Sequence, residues 1–302
     1  MGVLENISAC ANYLGEIDAE ERTRLFEKLF KERVNVKREN IMRTYKEVGE
    51  DWNQTLYTLL LKYLGSTHNG NAMEQLSRVV TYNMIAKERG ALLNIEALLL
   101  GGAGLLELYS EDSYIRALKE EFTHLRAKYN ITPLCAEVWR LHNIYPNTHP
   151  TLRLVQFAAS VHKQALSFAA ATECRTRKDV HTILSGAASE YWLENFAFGA
   201  NVTASAHIGA FTNDLLGINV IIPILIANGV YMEDSELISH AFTLAKNIPA
   251  EDNRYIKMWQ NSASPIAISA IDSQALLHLH RTYCENKLCK ACFVWMKRRG
   301  QL

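Results

Sequence analysis

The sequence predicts an all-α protein, and three observations indicate this fold class. Apolar residues recur at steps of three and four along most of the chain, the spacing of one face of an α-helix. No stretch sustains the period-two alternation that is typical of a half-buried strand. The 302 residues include only 6 Pro and 15 Gly, few for an all-β chain with many turns. We therefore expect an irregular multi-helix bundle, large enough to form two packed helical halves.

The segment Leu92–Tyr109, LLNIEALLLGGAGLLELY, is the expected centre of this bundle. It is apolar on every face, and a helix of that kind belongs in a protein core. Gly101, Gly102 and Gly104 predict either the close approach of a neighbouring backbone or a break in the helix. A phosphate-binding loop is disfavoured, because Glu107 stands where G-x-G-x-x-G requires a third glycine and the Walker lysine is missing.

The remaining helices are predicted from apolar spacing together with capping residues and prolines. One of them is expected to open at Thr132-Pro133 and to carry Trp139. The segments 66–71 and 173–179 are expected to be loops. The other helices are expected at residues 18–48, 51–65, 72–80, 110–130, 151–171, 233–246, 251–260 and 266–283.

The segment Asn143–Pro150, NIYPNTHP, is the clearest irregular stretch and contains two prolines. We interpret it as a hinge between two helical halves. The N-terminal half, residues 1–145, is expected to surround the buried segment 92–109. The C-terminal half, residues 146–302, carries a cluster of cysteines near its end. No repeat of fixed period is present, so a solenoid is not expected.

The charge balance excludes a global electrostatic attraction to nucleic acid or to anionic membranes. Lys and Arg together number 32, and so do Asp and Glu. Nucleic-acid binding therefore requires a local basic patch. The candidate residues would have to form one contiguous face, and they are Arg38, Arg43, Arg175, Arg177 and Lys178.

The sequence predicts a cytoplasmic protein that does not associate with membranes. The start, Met1–Asn6, lacks the basic and apolar regions of a secretory signal. The most membrane-like run, Leu215–Val230, would span about 24 Å as a helix, less than the roughly 30 Å hydrocarbon core. It also contains Asn219 and Pro223, and we interpret it as a core helix.

One constellation near the C-terminus has the spacing of a metal site. His280, Cys284, Cys289 and Cys292 form the pattern H-x3-C-x4-C-x2-C. Residues four apart share a helix face, and an x2 pair of cysteines grips one metal ion from a tight turn. The pattern predicts a tetrahedral Cys3His zinc site whose first role is structural.

Two other interpretations of these cysteines remain open. The C-x4-C-x2-C spacing also occurs in iron–sulfur proteins, where a distant fourth ligand such as Cys135 or Cys174 would be needed. Alternatively, the thiols simply pack the C-terminal turn. Disulfides are not expected without a secretory signal.

Several segments together resemble a bacterial family, domain of unknown function family 2851. The resemblance covers nearly the whole chain, and it rests on DWNQTLYTLLLKYLG (51–65), IEALLLGGAGLLE (95–107), YPNTHPTLRLVQFA (145–158), IPAEDNRYIKMW (248–259) and SQALLHLHRTYCENKLCKAC (273–292). It implies that the chain is the helical part of a longer pattern whose N-terminal β-containing segment is absent here. It also implies departures at Gly102, where a glutamine is usual, and at Asn143 and Tyr145, where arginines are common.

Two hypotheses about function follow, because no complete catalytic motif is present. The first is a helical interaction or scaffold module, in one version nucleic-acid-associated through local basic patches, with a structural metal site. The second is an enzyme or redox protein that uses the C-terminal cysteines or a helical pocket. The sequence favours the first and does not decide whether the protein is an enzyme.

Overall fold

A computed structural model describes residues 3–108, 112–164, 166–200, 205–260 and 266–301. Within these ranges the secondary structure is helical, with an isolated antiparallel bridge between Pro249 and Ser269 and no β-strand. The prediction of an all-α multi-helix protein is confirmed.

The α-helices are numbered in chain order. They are α1 (Val3–Glu16), α2 (Ala19–Glu47), α3 (Trp52–Leu64), α4 (Ser66–Val79), α5 (Tyr82–Lys87), α6 (Leu92–Gly102), α7 (Ser113–Tyr129), α8 (Pro150–Gln164), α9 (Phe168–Thr172), α10 (Arg177–Ile183), α11 (Tyr191–Glu194), α12 (Ala210–Leu216), α13 (Ile222–Tyr231), α14 (Ser235–Asn247), α15 (Arg254–Gln260), α16 (Ala270–Leu279) and α17 (Phe293–Arg298). Two π-helical segments follow α12 and α16 directly, at Gly217–Ile221 and His280–Cys284.

The chain forms two compact units. Unit 1 comprises Met1–Asn40 and Ile226–Leu302, and unit 2 comprises Ile41–Leu225. Unit 1 is therefore built from both ends of the sequence. The predicted division into halves, 1–145 and 146–302, has a different boundary, and it stays a prediction.

The core of unit 2 is organised around α6. Every residue from Ile95 to Gly102 is buried, and the helix packs mainly against α7 and α8. The glycine-rich part ends the α-helix at Gly102, and a short 3-10 turn follows at Leu106–Leu108. The predicted buried helical centre is thus confirmed in a shorter form, while Tyr109 lies outside the described residues.

The glycines of this segment were predicted to allow either the close approach of a neighbouring backbone or a break in the helix, and the structure shows both. A Cβ atom at Gly101 would stand 2.2 Å from the ring of Phe122, so the glycine permits close packing of α7. Gly104 has a φ of +70°, which ends the helix in the left-handed region, and a Cβ there would lie 2.1 Å from the carbonyl oxygen of Leu134.

The predicted helix through Trp139 is wrong. Only Ala136–Val138 forms a single 3-10 turn, and the rest of this stretch is irregular. The backbone N–H of Leu134 donates to Gly102 O at 2.8 Å, and the Trp139 indole donates to Ala103 O at 2.8 Å. The segment thus satisfies the carbonyl groups at the end of α6, and a helix at this position would not present those donors.

Other boundaries differ because local polar contacts decide them. The expected loop 66–71 is the first half of α4, where the Asn69 side chain bonds the backbone of Arg140 in both directions. The expected single helix 151–171 is divided, and Ser167 caps its second part, α9. In the expected loop 173–179, Thr176 and Asp179 form a capping box that starts α10.

A buried carboxyl group lies at the centre of unit 2. Glu96 on α6 is 1% exposed and accepts a hydrogen bond from the Tyr114 hydroxyl at 2.7 Å. The same hydroxyl accepts from Ser189 Oγ and from Trp192 Nε1, both at 2.9 Å. Burial raises the pKa of Glu96 from 4.5 to about 7, against the opposing effect of these hydrogen bonds. The folded protein therefore favours the protonated form of this carboxyl group.

We expect Glu96 to make the folding stability of the protein depend on pH. Its folded pKa lies above its unfolded value, so its stabilising contribution is complete below about pH 4.5 and is lost as the pH rises through about 7. The total loss is on the order of 3 kcal/mol. Denaturant unfolding between pH 5 and 8 should show this slope in the wild type and a flatter profile in Glu96→Gln. The exposed control Glu107→Gln should keep the wild-type profile, and equal slopes in all three proteins would contradict the assignment.

One helical run has the length and composition of a membrane span. It is Ala210–Tyr231, 22 residues long; its most apolar 18-residue window has a mean hydropathy of 1.7, and 67% of that window is buried inside the protein. A core helix passes the same test, so this run is weak support for membrane association. The cytoplasmic location stays a prediction.

Candidate metal centre and basic pocket

The C-terminal cysteines of unit 1 are held by a compact turn after α16. The π-helical segment ends at Cys284, and Lys287 then takes a left-handed φ of 56°. A 3-10 turn at Cys289–Ala291 follows, closed by the bond from Cys292 N to Cys289 O at 2.9 Å. This turn brings Cys289 and Cys292 together on a short loop, which is the arrangement expected of an x2 metal-binding pair.

Four cysteines line one small cavity in unit 1. Cys284, Cys289 and Cys292 are joined there by Cys10, which α1 contributes from the opposite end of the chain. The volume is about 20 Å³, enough for one water-sized atom or ion. The remaining lining is mainly apolar and aromatic, with Trp259, Leu279, Tyr283, Val294 and Trp295.

The cavity brings together three of the four residues that the sequence predicted as metal ligands. His280 does not line it: its Nε2 atom lies 3.5 Å from Glu285 Oε1 and its ring packs 4.9 Å from Tyr255. The two distant candidates for a fourth ligand also have other neighbours. Cys135 donates to the carboxylate of Glu137, and Cys174 lies 3.6 Å from Ala170 O.

The cysteines of this cavity are buried or half-buried, and they are close enough together to affect one another. Burial raises the pKa of Cys10 to about 11 and that of Cys284 to about 12, and their cysteine neighbours raise both pKa values further. The pKa of Cys292 is raised for the same main reason. Without a metal these groups are protonated thiols and poor nucleophiles, because the thiolate is the reactive form.

Arg298 supplies positive charge beside the cluster. It interacts with Cys10 and partly offsets the effect of burial on that thiol. Its Nε and Nη2 atoms are buried without hydrogen-bond partners in the described part of the chain. Four thiolates around one divalent cation carry a net charge of −2, and a neighbouring guanidinium stabilises such a site. The donor set and the charge therefore fit a zinc ion.

The thiols are not arranged as a finished site. Among the residues that the structure describes, no group of three or more His, Cys, Asp or Glu side chains is already placed to hold a metal ion. Binding at the four-cysteine cavity therefore requires rotation of the cysteine side chains toward a common centre, at Zn–S distances of about 2.3 Å.

A basic pocket of about 300 Å³ lies in the same unit as the four-cysteine cavity. The helix α17 begins directly after Cys292 and contributes Phe293 and Lys297 to this pocket. Lys28 Nζ lies 4.8 Å from the centre of the Phe293 ring, and Lys297 forms an ion pair with Glu21. The full lining is Tyr13, Ile17, Glu21, Arg24, Leu25, Lys28, Phe293 and Lys297, with three cations and one carboxylate.

A family model described as "Protein of unknown function (DUF2851)" matches residues 4–254. The chain belongs to the DUF2851 family. The match confirms the family resemblance of the sequence, and it includes Cys10 but ends before Cys284. No curated protein and no solved structure matches the chain.

The basic patch that the sequence suggested is partly neutralised in this DUF2851 protein. Arg177 forms two hydrogen bonds of 2.7 Å with the carboxylate of Asp214, which also lies 2.8 Å from His181. Arg175 donates to Thr172 O at 2.6 Å. Nucleic-acid binding through these residues stays a prediction, and the guanidinium of Arg177 is engaged within the protein.

Sequence reasoning missed Cys10 as a member of the cluster. It is a single cysteine in a helix, without a second ligand at metal-binding spacing, and nothing local distinguishes it from an ordinary apolar residue. The only available signal was its position on the buried face of α1, which it shares with Ile7, Ala11 and Leu14.

Proposed function

We propose that the protein is a helical interaction module in which one structural zinc ion closes unit 1. The zinc ligands are Cys10, Cys284, Cys289 and Cys292, so the ion joins the first helix to the C-terminal turn. The observation that carries the proposal is that four cysteines, two buried and two half-buried, line one cavity of about 20 Å³, which is large enough for a single ion. A cluster of four iron and four sulfide ions needs several times that space.

A structural role for the zinc is supported by the closed character of the site. Catalytic zinc keeps one position open for water or substrate, whereas structural sites use four protein ligands. Cys10 and Cys292 are 7% and 5% exposed, and the cavity lining offers no polar surface. Burial raises the pKa of the Cys10 and Cys284 thiols, which disfavours redox or nucleophilic chemistry, the alternative function for these cysteines, in the metal-free protein.

The basic pocket is the proposed contact with an anionic partner, a single-stranded nucleic acid. Phe293 and Tyr13 provide aromatic surface for base stacking, and the cations of the pocket complement phosphates. Lys297 is paired with Glu21 and Arg24 Nη1 lies 3.8 Å from Glu20 Oε1, so Lys28 is the cation on which this contact depends. Lys28 has no carboxylate partner among the described residues, so its ammonium group is available to a phosphate. The zinc supports this pocket because α17 starts at the residue after Cys292.

We expect the zinc-loaded protein to bind a fluorescent single-stranded oligonucleotide, with an affinity that falls as salt rises. The double variant Arg24→Gln/Lys28→Gln should bind at least about tenfold more weakly, and the slope of log K against log salt should flatten by about 1.4. Fluorescence anisotropy at several salt concentrations measures both quantities.

The matched control removes two cations of the suggested patch in unit 2, Arg175→Gln/Lys178→Gln, and should leave the affinity unchanged. Adding a zinc chelator should weaken oligonucleotide binding by the wild type, because removal of the zinc ion leaves the pocket unsupported. A wild type that shows no salt-dependent binding, or control and pocket variants that weaken binding equally, would remove the basic pocket as the site.

A further inference from the structure

Arg153 in unit 2 is a buried cation without an acidic partner. It lies in the first turn of α8 and is 7% exposed. Its two hydrogen bonds go to neutral oxygen atoms, and among the described residues no carboxylate oxygen lies within 4.0 Å of its guanidinium. Burial lowers its pKa from 12.5 to about 10, so the group remains charged at neutral pH. An uncompensated buried charge is unfavourable, and a bound anion would offset this cost.

The edge of the guanidinium formed by Nε and Nη2 is the one that pairs with oxyanions, and it lacks a full set of hydrogen-bond partners among the described residues. Nη1 donates to Gln156 Oε1 at 3.0 Å. Nη2 makes a single long bond of 3.3 Å to Thr212 Oγ1, and Nε has no partner in the described chain. The N–H groups of Nε and Nη2 are parallel, and together they match two oxygen atoms of a carboxylate or phosphate.

Two further features favour an anion at this edge. Thr212 accepts from Nη2 through its oxygen, so its own O–H is free to donate to the same anion. Arg153 is the fourth residue of the 15-residue helix α8, so it lies in the first turn, where the helix dipole favours negative charge.

We propose that Arg153 and Thr212 form a binding site for a phosphate group at the N-terminal end of α8. Three donors, Nε, Nη2 and the threonine hydroxyl, suit the three free oxygen atoms of a phosphate group better than the two of a carboxylate. A purely structural arginine accounts for the Gln156 contact but not for a buried Nε without a partner. All of these residues belong to unit 2, so the proposal is independent of the metal centre.

The test is titration calorimetry on the full chain, with inorganic phosphate replacing chloride at constant ionic strength. We expect one phosphate per chain and acetate binding at least about tenfold weaker. Arg153→Lys keeps the charge but loses the parallel donors, so its phosphate affinity should fall at least about tenfold. The control Arg126→Lys, an exposed arginine in the last turn of α7, should bind like the wild type.

A second variant keeps the test decisive if Arg153→Lys does not fold. Thr212→Val leaves Arg153 in place at a half-buried position and should weaken phosphate binding about three- to tenfold. Glycerol phosphate, as a second probe, shows whether the site takes the phosphate group of a larger molecule or free phosphate. Absence of saturable phosphate binding, wild-type affinity in both variants, or equal affinity for acetate would overturn the proposal.

Discussion

Replacing Cys10 by serine is expected to weaken zinc binding at least about hundredfold, because loss of a direct ligand costs more than loss of an outer-shell partner, which already costs 10- to 100-fold. With free zinc at 1,000 times the wild-type Kd, the ion stabilises the wild type by about 4 kcal/mol. The same concentration stabilises a variant with hundredfold weaker binding by only about 1.4 kcal/mol. Zinc analysis and chelator-dependent thermal unfolding measure the two effects.

His280 provides the matched control for this experiment. If the sulfur cavity holds the ion, His280→Asn should retain one zinc per chain, whereas a Cys3His site would lose it. Cys289→Ser replaces a half-buried thiol and should behave like Cys10→Ser, which separates ligand loss from poor folding of the more buried variant. The exposed thiol variant Cys135→Ser should keep its zinc.

The metal proposal fails if the wild type, purified without chelator, contains less than about a tenth of an equivalent of zinc while all thiols titrate freely. Iron and sulfide in stoichiometric amounts would instead indicate a cluster, and the single-ion site would then be wrong. Proton release on zinc addition is a further expected sign, because the thiols are protonated before they bind.

Substituting Gly104 by alanine is expected to destabilise the protein by about 3 kcal/mol or more. A non-glycine residue in the left-handed region costs about 1–2 kcal/mol. The added Cβ would also meet Leu134 O at 2.1 Å, so the backbone of Leu134 must move and its 2.8 Å bond to Gly102 O is lost or weakened. A loss of this size lowers Tm by roughly 5 °C in a protein of this length.

Gly90→Ala is the appropriate comparison for this substitution. Gly90 has no atom within 4 Å of an added Cβ and does not have a positive φ, so the change should be neutral within about 0.5 kcal/mol. Gly104→Asn separates strain from collision, since asparagine tolerates a positive φ but carries the same Cβ. If denaturant unfolding gives Gly104→Ala a free energy of unfolding within about 1 kcal/mol of the wild type, the close approach of the Gly104 and Leu134 backbones is contradicted.

The parts of the fold that the sequence predicted are those where a local pattern and its tertiary environment agree. The segment 95–102 is apolar on all faces and lies buried in α6 as expected. The Thr132-Pro133 pattern is a helix start by local rules, yet Leu134 and Trp139 donate to the end of α6 instead. A contact between segments that are distant in sequence has no periodic signal, and here it outweighs a weak helix propensity.

The same distinction applies to the candidate sites. The spacing of Cys284, Cys289 and Cys292 predicted that these three cysteines lie close together, because a helix end is followed directly by a tight turn, and in the structure they line one cavity. Only the tertiary structure decided that Cys10 joins them and that Arg153 is buried without a carboxylate partner among the described residues. Both depend on which helices pack together, and packing is set by the summed burial of many side chains rather than by the neighbours of one residue in sequence.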